Sequence, residues 1–126
     1  MSIALQVSPE AMAVYRATAQ HRWEKERQEL ARRRERAWQV VRRATALLKE
    51  QFGATRVAAF GSLVHGHWFS RTSDIDLAAW GLPADDYFVA VAKLQDLSPD
   101  FRIDLVTMES CRPALRDIIV REGEPL

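Results

Sequence analysis

Asp74 and Asp76 are the residues of this chain best placed to do chemistry. They stand in the run Ser73-Asp74-Ile75-Asp76-Leu77, whose alternation is that of a strand. Residues i and i+2 of a strand point the same way. The two aspartates therefore project from one face, while Ile75 and Leu77 turn into the core. Two carboxylates forced together repel each other unless a cation sits between them. Oxygen-only ligands of this kind suit magnesium. Upstream, the apolar strand candidate Arg56–Phe60 runs straight into Gly61-Ser62. A Gly-Ser after a strand, where a helix can open, offers free backbone N–H groups and a hydroxyl to a phosphate. Metal-binding carboxylates beside a phosphate cradle point to phosphoryl or nucleotidyl transfer.

The elements that must position these groups fit a small domain. The chain has 126 residues, 48% of them hydrophobic, enough for one modest core. Net charge is +1 but uneven: residues 1–53 hold 11 Lys+Arg against 6 Asp+Glu, and residues 54–126 hold 7 against 11. The acidic part suits a cation-dependent site, and the basic part suits an acidic partner or nucleic acid. Cys111 is alone, so no internal disulfide forms. No signal-like opening or bilayer-length apolar run is present, so the expected location is the cytoplasm, with no membrane partner.

In order along the chain, residues 1–7 are short and apolar, a frayed end or a small strand. Ser8-Pro9-Glu10 is a helix start, with Ser8 as N-cap and Pro9 at N1. Residues 10–52 contain no Gly and no Pro. As one helix they would extend about 65 Å, at 1.5 Å per residue. Within residues 24–36 only Leu30 and Ala31 are apolar, so this stretch is a solvated helical arm or the fold-back point of two helices. Glu29–Arg33 and Lys25–Glu29 are spaced to pair. Trp38, Val41, Thr45, Leu48 and Phe52 then make one apolar face that should pack on a sheet, ended by Gly53. Strands are expected at residues 57–60, 75–80 and 101–107. A helix is expected over residues 84–97, with Tyr87, Val91 and Leu94 on one face. A short helix over residues 113–121 closes the pattern. Met12, Val14 and Tyr15 read as helix packing, and Arg32-Arg33-Arg34 as a solvated face, with nucleic-acid binding the lesser reading.

Taken singly, Gly61-Ser62 is a turn and Asp74 and Asp76 a solvated strand edge. Together, Gly61-Ser62 and Ser73-Asp74-Ile75-Asp76-Leu77 resemble the signature of the DNA-polymerase-β-like nucleotidyltransferases. The nearest group is the minimal nucleotidyltransferases, the antitoxins that act beside HEPN-domain ribonuclease toxins. The resemblance spans residues 56–121. Eleven residues, 63–73, separate Gly-Ser from the first aspartate, where the family commonly has about ten. The extra residue falls in a loop and should reshape the loop, not the site.

The resemblance implies an α/β nucleotidyltransferase fold: a mixed sheet of about three strands flanked by helices, after a long N-terminal helix or helical hairpin. Residues 1–53 would form a helical arm whose later part packs on the core, and residues 54–126 the catalytic domain. Asp104 lies between Ile103 and Leu105, an awkward place for a charge except at an edge. The family's third carboxylate lies on a later strand, and Asp104 is the aspartate so placed. The resemblance then implies two magnesium ions held by Asp74, Asp76 and Asp104, with ATP as substrate and its triphosphate held by Gly61 and Ser62. Arg71 either contacts phosphate or is solvated. His65 and His67 read as loop histidines with local hydrogen bonds, and Trp68 and Phe69 as a loop packed on the core. Strand alternation puts Arg102 on the Asp104 face. The implied activity is AMP transfer to a HEPN toxin, which neutralises it, with self-association through the N-terminal helix as a second assembly and nucleic acid not expected. Two rivals stand beside it. One is a nucleotidyltransferase for a small molecule such as an aminoglycoside, which usually carries a further acceptor domain. The other is a non-catalytic antitoxin that only binds its partner, against which the three carboxylates argue.

Overall fold

A computed structural model describes residues 7–126, so most of the apolar segment expected over residues 1–7 lies outside the described residues. The chain falls into two compact units, residues 1–32 and 33–126. Helix α1 is assigned over Pro9–Phe52 without an intervening turn. Its start is the expected one: the Ser8 hydroxyl accepts a hydrogen bond from the Ala11 N–H at 3.1 Å, and Pro9 takes the first helical position, where no N–H is needed.

In the first unit the helix is solvated on nearly every side. Val14 and Tyr15 are exposed rather than packed, since among the described residues that unit offers no second element to receive them. The Arg27 guanidinium lies over the Trp23 ring, 5.0 Å from its centre, a one-turn pairing on the helix surface.

In the second unit α1 buries Ala37, Val40, Val41, Ala44 and Leu48. Trp38, Thr45 and Phe52 of the expected face are half-buried beside them. The helix ends where Gly53 turns to φ +73° and the Ala54 N–H bonds the Leu48 carbonyl at 3.0 Å. Strand β1 (Arg56–Phe60) follows, then the short helix α2 (Ser62–His65), β2 (Ile75–Trp80), a 3₁₀ turn (Ala84–Asp86), α3 (Tyr87–Gln95), β3 (Ile103–Thr107), a second 3₁₀ turn (Met108–Ser110), α4 (Pro113–Glu122) and β4 (Glu124–Pro125). The sheet order is β3-β2-β1-β4. β1 pairs antiparallel with β2 and β4, while β2 and β3 run parallel, joined by the α3 crossover.

The sheet therefore has four strands, one more than expected. The extra one holds only Glu124 and Pro125, paired with Ala59 and Ala58. Pro125 is tolerated because an edge strand can spare an N–H. One row of the sheet, Ile75, Leu77, Ala79, Ile103 and Leu105, is buried. Buried residues on α1 and on α3 (Ala90 and Leu94) are the helical faces left to cover it. On the other row, Ala78 clusters with Met108 and with Ile119 of α4, and Phe60, Trp80 and Val106 pack around them. Burying an Ile or Leu fully is worth about 1.5–3 kcal/mol, so Ile75, Leu77, Ile103 and Leu105 hold the strand register firmly. A slip by one residue would bury Asp76 and Asp104 instead.

Candidate active site

The parallel register sets Asp76 directly beside Asp104. In the antiparallel pair on its other side, Asp76 faces Phe60, the last residue of β1. Three strands thus deliver their ends to one point, and Asp76 stands at its centre. Asp74 lies one step before β2 on the same alternation, half-buried like Asp76.

Gly61 follows Phe60 and adopts φ +79° and ψ −153°, a conformation that L side chains rarely take. A Cβ at Gly61 would run into the Asp76 carboxylate. Glycine is therefore required twice over, by backbone angle and by space. The chain then opens α2 at Ser62, and the N–H groups of Val64 and His65 return to the Gly61 carbonyl at 3.2 and 3.3 Å. This joins the two halves of the sequence signature: the Gly-Ser turn sits on the second aspartate.

Burial, then the neighbouring Asp104 and Asp74 carboxylates, raise the Asp76 pKa from 3.8 to about 6. The ionised form is thus disfavoured by desolvation and by like charge. Asp104 gains a counter-charge from Arg102, whose Nε lies 3.2 Å from Asp104 Oδ1. The pairing expected from strand alternation is present. Both side chains are exposed, so the ion pair contributes under about 1 kcal/mol to stability.

Asp74 is delivered by a loop braced with serines. The Ser70 N–H donates to the Ser73 hydroxyl at 2.8 Å, and the Ser73 N–H returns to the Ser70 carbonyl at 3.2 Å. The Thr72 N–H donates to the Ser70 hydroxyl at 3.3 Å. Sequence reasoning passed over Ser70, although Ser-x-x-Ser before an acidic residue is a turn signal. In the same loop Phe69 is buried as expected, whereas Trp68 is 73% exposed. Arg71 is exposed and His67 is exposed. His65 belongs to α2 rather than to the loop, and its Nε2 lies 3.2 Å from Glu122 Oε2 at the end of α4.

The run Arg32-Arg33-Arg34 departs from its expected solvated role. Arg33 and Arg34 are half-buried. Arg33 lies 4.3 Å over the Phe101 ring and donates to the Asp100 carbonyl at 3.2 Å. Arg34 binds backbone carbonyls of α2. Only Arg32 of the three is exposed.

Among the described residues, no three His, Cys, Asp or Glu side chains by themselves form a group that could hold a metal ion. The donor chemistry nonetheless fits a hard divalent cation. Asp74, Asp76 and Asp104 offer carboxylate oxygens alone, and magnesium normally fills its shell with one or two carboxylates plus water and substrate phosphates. The raised Asp76 is a carboxylate that a cation would relieve.

Residues 43–126 match the protein family described as Polymerase beta, Nucleotidyltransferase. No curated protein matches the chain in sequence. Among solved structures, a minimal nucleotidyltransferase is 31% identical with a TM-score of 0.54, over 77% of this chain and 95% of that one. A toxin–antitoxin structure with AMP-PNP is 25% identical with a TM-score of 0.56, over 66% of this chain and 69% of that one. A mutant of the MntA–HepT toxin–antitoxin, carrying two aspartate-to-glutamate changes two positions apart, shares the fold at 24% identity and TM-score 0.56, over 67% of this chain and 69% of that one. No described helix is long and apolar enough to cross a membrane.

Proposed function

For a chain that belongs to the polymerase β nucleotidyltransferase family, we propose a magnesium-dependent enzyme that transfers AMP from ATP to a partner protein, a HEPN-domain toxin, and so acts as its antitoxin. The observation that carries this reading is the junction of Gly61, Asp76 and Asp104 at the ends of three adjacent strands. Solved relatives that are toxin–antitoxins, one of them with an ATP analogue, support the substrate and the partner class.

Asp74 and Asp76 would hold magnesium, with Asp104 completing one of two metal positions. When bound, magnesium neutralises phosphate charge and makes the attacking hydroxyl more acidic. The Gly61–Ser62 backbone and the Ser62 hydroxyl hold the triphosphate at the mouth of α2, and Arg71 reaches a phosphate oxygen from the loop. A hydroxyl oxygen of the partner attacks the α-phosphorus. Its bond to phosphorus forms as the bond to the β-phosphate bridging oxygen breaks, pyrophosphate leaves with the electron pair, and the hydroxyl proton passes to the Asp104 carboxylate. Positioning and charge neutralisation supply most of the rate. The long N-terminal helix, Pro9–Phe52, serves assembly, with the toxin or with a second copy.

Co-expression with a HEPN protein, followed by intact-mass analysis of that partner, tests the reading. The expected result is a mass increase of one or more AMP groups. An unmodified partner in a stable complex would leave only a binding antitoxin.

A further inference from the structure

Helix α2 is too short to be stable alone, since a single turn fixes several residues for very few hydrogen bonds. Something outside it must hold the Gly61–Ser62 turn in place. One support is Leu63, whose side chain is fully buried. The other comes from a point 29 residues earlier. Arg34 Nε and Nη2 both donate to the Leu63 carbonyl, at 3.0 and 2.8 Å, and Nη2 reaches the Val64 carbonyl at 3.3 Å. These carbonyls lie at the C-terminal end of α2, where no helical N–H follows to satisfy them. A fixed cationic fork also matches the negative end of the helix.

Gly66 belongs to the same arrangement. It turns the chain at φ +72°, and a Cβ there would lie 3.1–3.2 Å from the Arg34 guanidinium carbon and its terminal nitrogens. The glycine leaves the space that the guanidinium fills. The Gly66 N–H in turn closes on the Ser62 carbonyl at 2.9 Å.

We infer that Arg34 is a positioning residue for the phosphate cradle. Its guanidinium anchors the C-terminal carbonyls of α2 to α1, and through that short helix sets Gly61 and Ser62 against Asp76. Its role is exerted through the Leu63 and Val64 carbonyls of α2. This rests on the functional reading above, because a cradle matters only if a triphosphate binds there.

The test uses the full chain with Arg34→Ala and Arg34→Lys, in two readouts. The first is amide hydrogen exchange without nucleotide. Arg34→Ala should speed exchange at Val64, His65 and Gly66 by about tenfold or more, while β1 and β2 amides change little, as expected for local opening. The second is steady-state kinetics with ATP. KM should rise by about fivefold or more and kcat by contrast should fall by about twofold at most, the pattern of lost ground-state positioning. Arg34→Lys, keeping a cation with one point of attachment, should fall between wild type and Arg34→Ala in both. Unchanged exchange at residues 64–66 overturns the inference. So does a uniform rise across all elements, or a lysine variant no better than alanine. Because exchange is read without nucleotide, a wild-type protein that binds no ATP would overturn the functional reading and leave the anchoring intact.

Discussion

The backbone of Gly61 lies so close to the Asp76 carboxylate that no side chain fits between them. The Gly61–Ser62 turn, the proposed phosphate cradle, and the Asp76 carboxylate are therefore one packed unit. A change in either displaces the other.

Gly61→Ala tests that contact. The methyl group meets Asp76, and the backbone angle of φ +79° is strained for any L residue. Together these should lower stability by about 1–3 kcal/mol and abolish transfer. Thermal melting with a turnover assay checks both. A variant with wild-type melting and turnover would mean that the turn rearranges freely.

Asp76 predicts a pH dependence of metal-free stability. Its folded pKa is about 6, against an ordinary 3.8. The folded state thus binds the proton more tightly than the unfolded one. Its contribution is fully present below about pH 4, is lost as pH rises towards 6, and stays level above. Because the carboxyl is only partly buried, solvent screening holds the effect to about 1–2 kcal/mol. Asp76→Asn should flatten this slope and be the more stable protein above pH 6. Added magnesium should raise the melting temperature of wild type and not of that variant. Chemical denaturation across pH 4 to 8 reads the slope.

Arg102 and Asp104 should separate in kinetics. Asp104→Asn should slow turnover strongly while nucleotide affinity falls modestly, since Asp74 and Asp76 remain. Arg102→Ala should change melting very little, because the ion pair is exposed. It should raise KM more than it lowers kcat if its guanidinium serves the triphosphate. Normal turnover in Asp104→Asn would place the third carboxylate elsewhere.

How much of this was legible in the sequence follows from how local each feature is. The outward alternation of Asp74 and Asp76 is a period-two pattern, readable without knowing any partner strand. The N-cap at Ser8 and the stop at Gly53 are local chemistry too. Asp104 was reached only through family resemblance, because its place beside Asp76 depends on parallel pairing across an α3 crossover. β4 escaped because two residues, one a proline, carry no strand signal. Arg34 escaped for a different reason. Its partners are backbone carbonyls, which every residue has, so nothing in the sequence at Leu63 or Val64 marks them. A run of three arginines reads as solvated when the groups that receive two of them are invisible.

The arm gives a further expectation. Removing residues 1–32 should leave residues 33–126 folded, with a melting temperature near that of the full chain, and should lose the partner complex. Extending the deletion through residue 35 also removes Arg33 and Arg34, with their contacts to Asp100, Phe101 and α2. It should therefore cost stability that the shorter deletion does not. Sizing chromatography and melting of the two truncations check this. Equal stability would mean that these arginines contribute nothing to the fold.

AMP transfer by the proposed three-carboxylate site is read out with ATP labelled at the α-phosphate. The protein is incubated with magnesium and the proposed HEPN partner, alongside Asp74→Asn and Asp76→Asn. Label should appear on the partner with wild type, not when ATP carries the label at the γ-phosphate, and not with either variant or with chelator. Label from the γ-phosphate, or undiminished α-label with both variants, would contradict it.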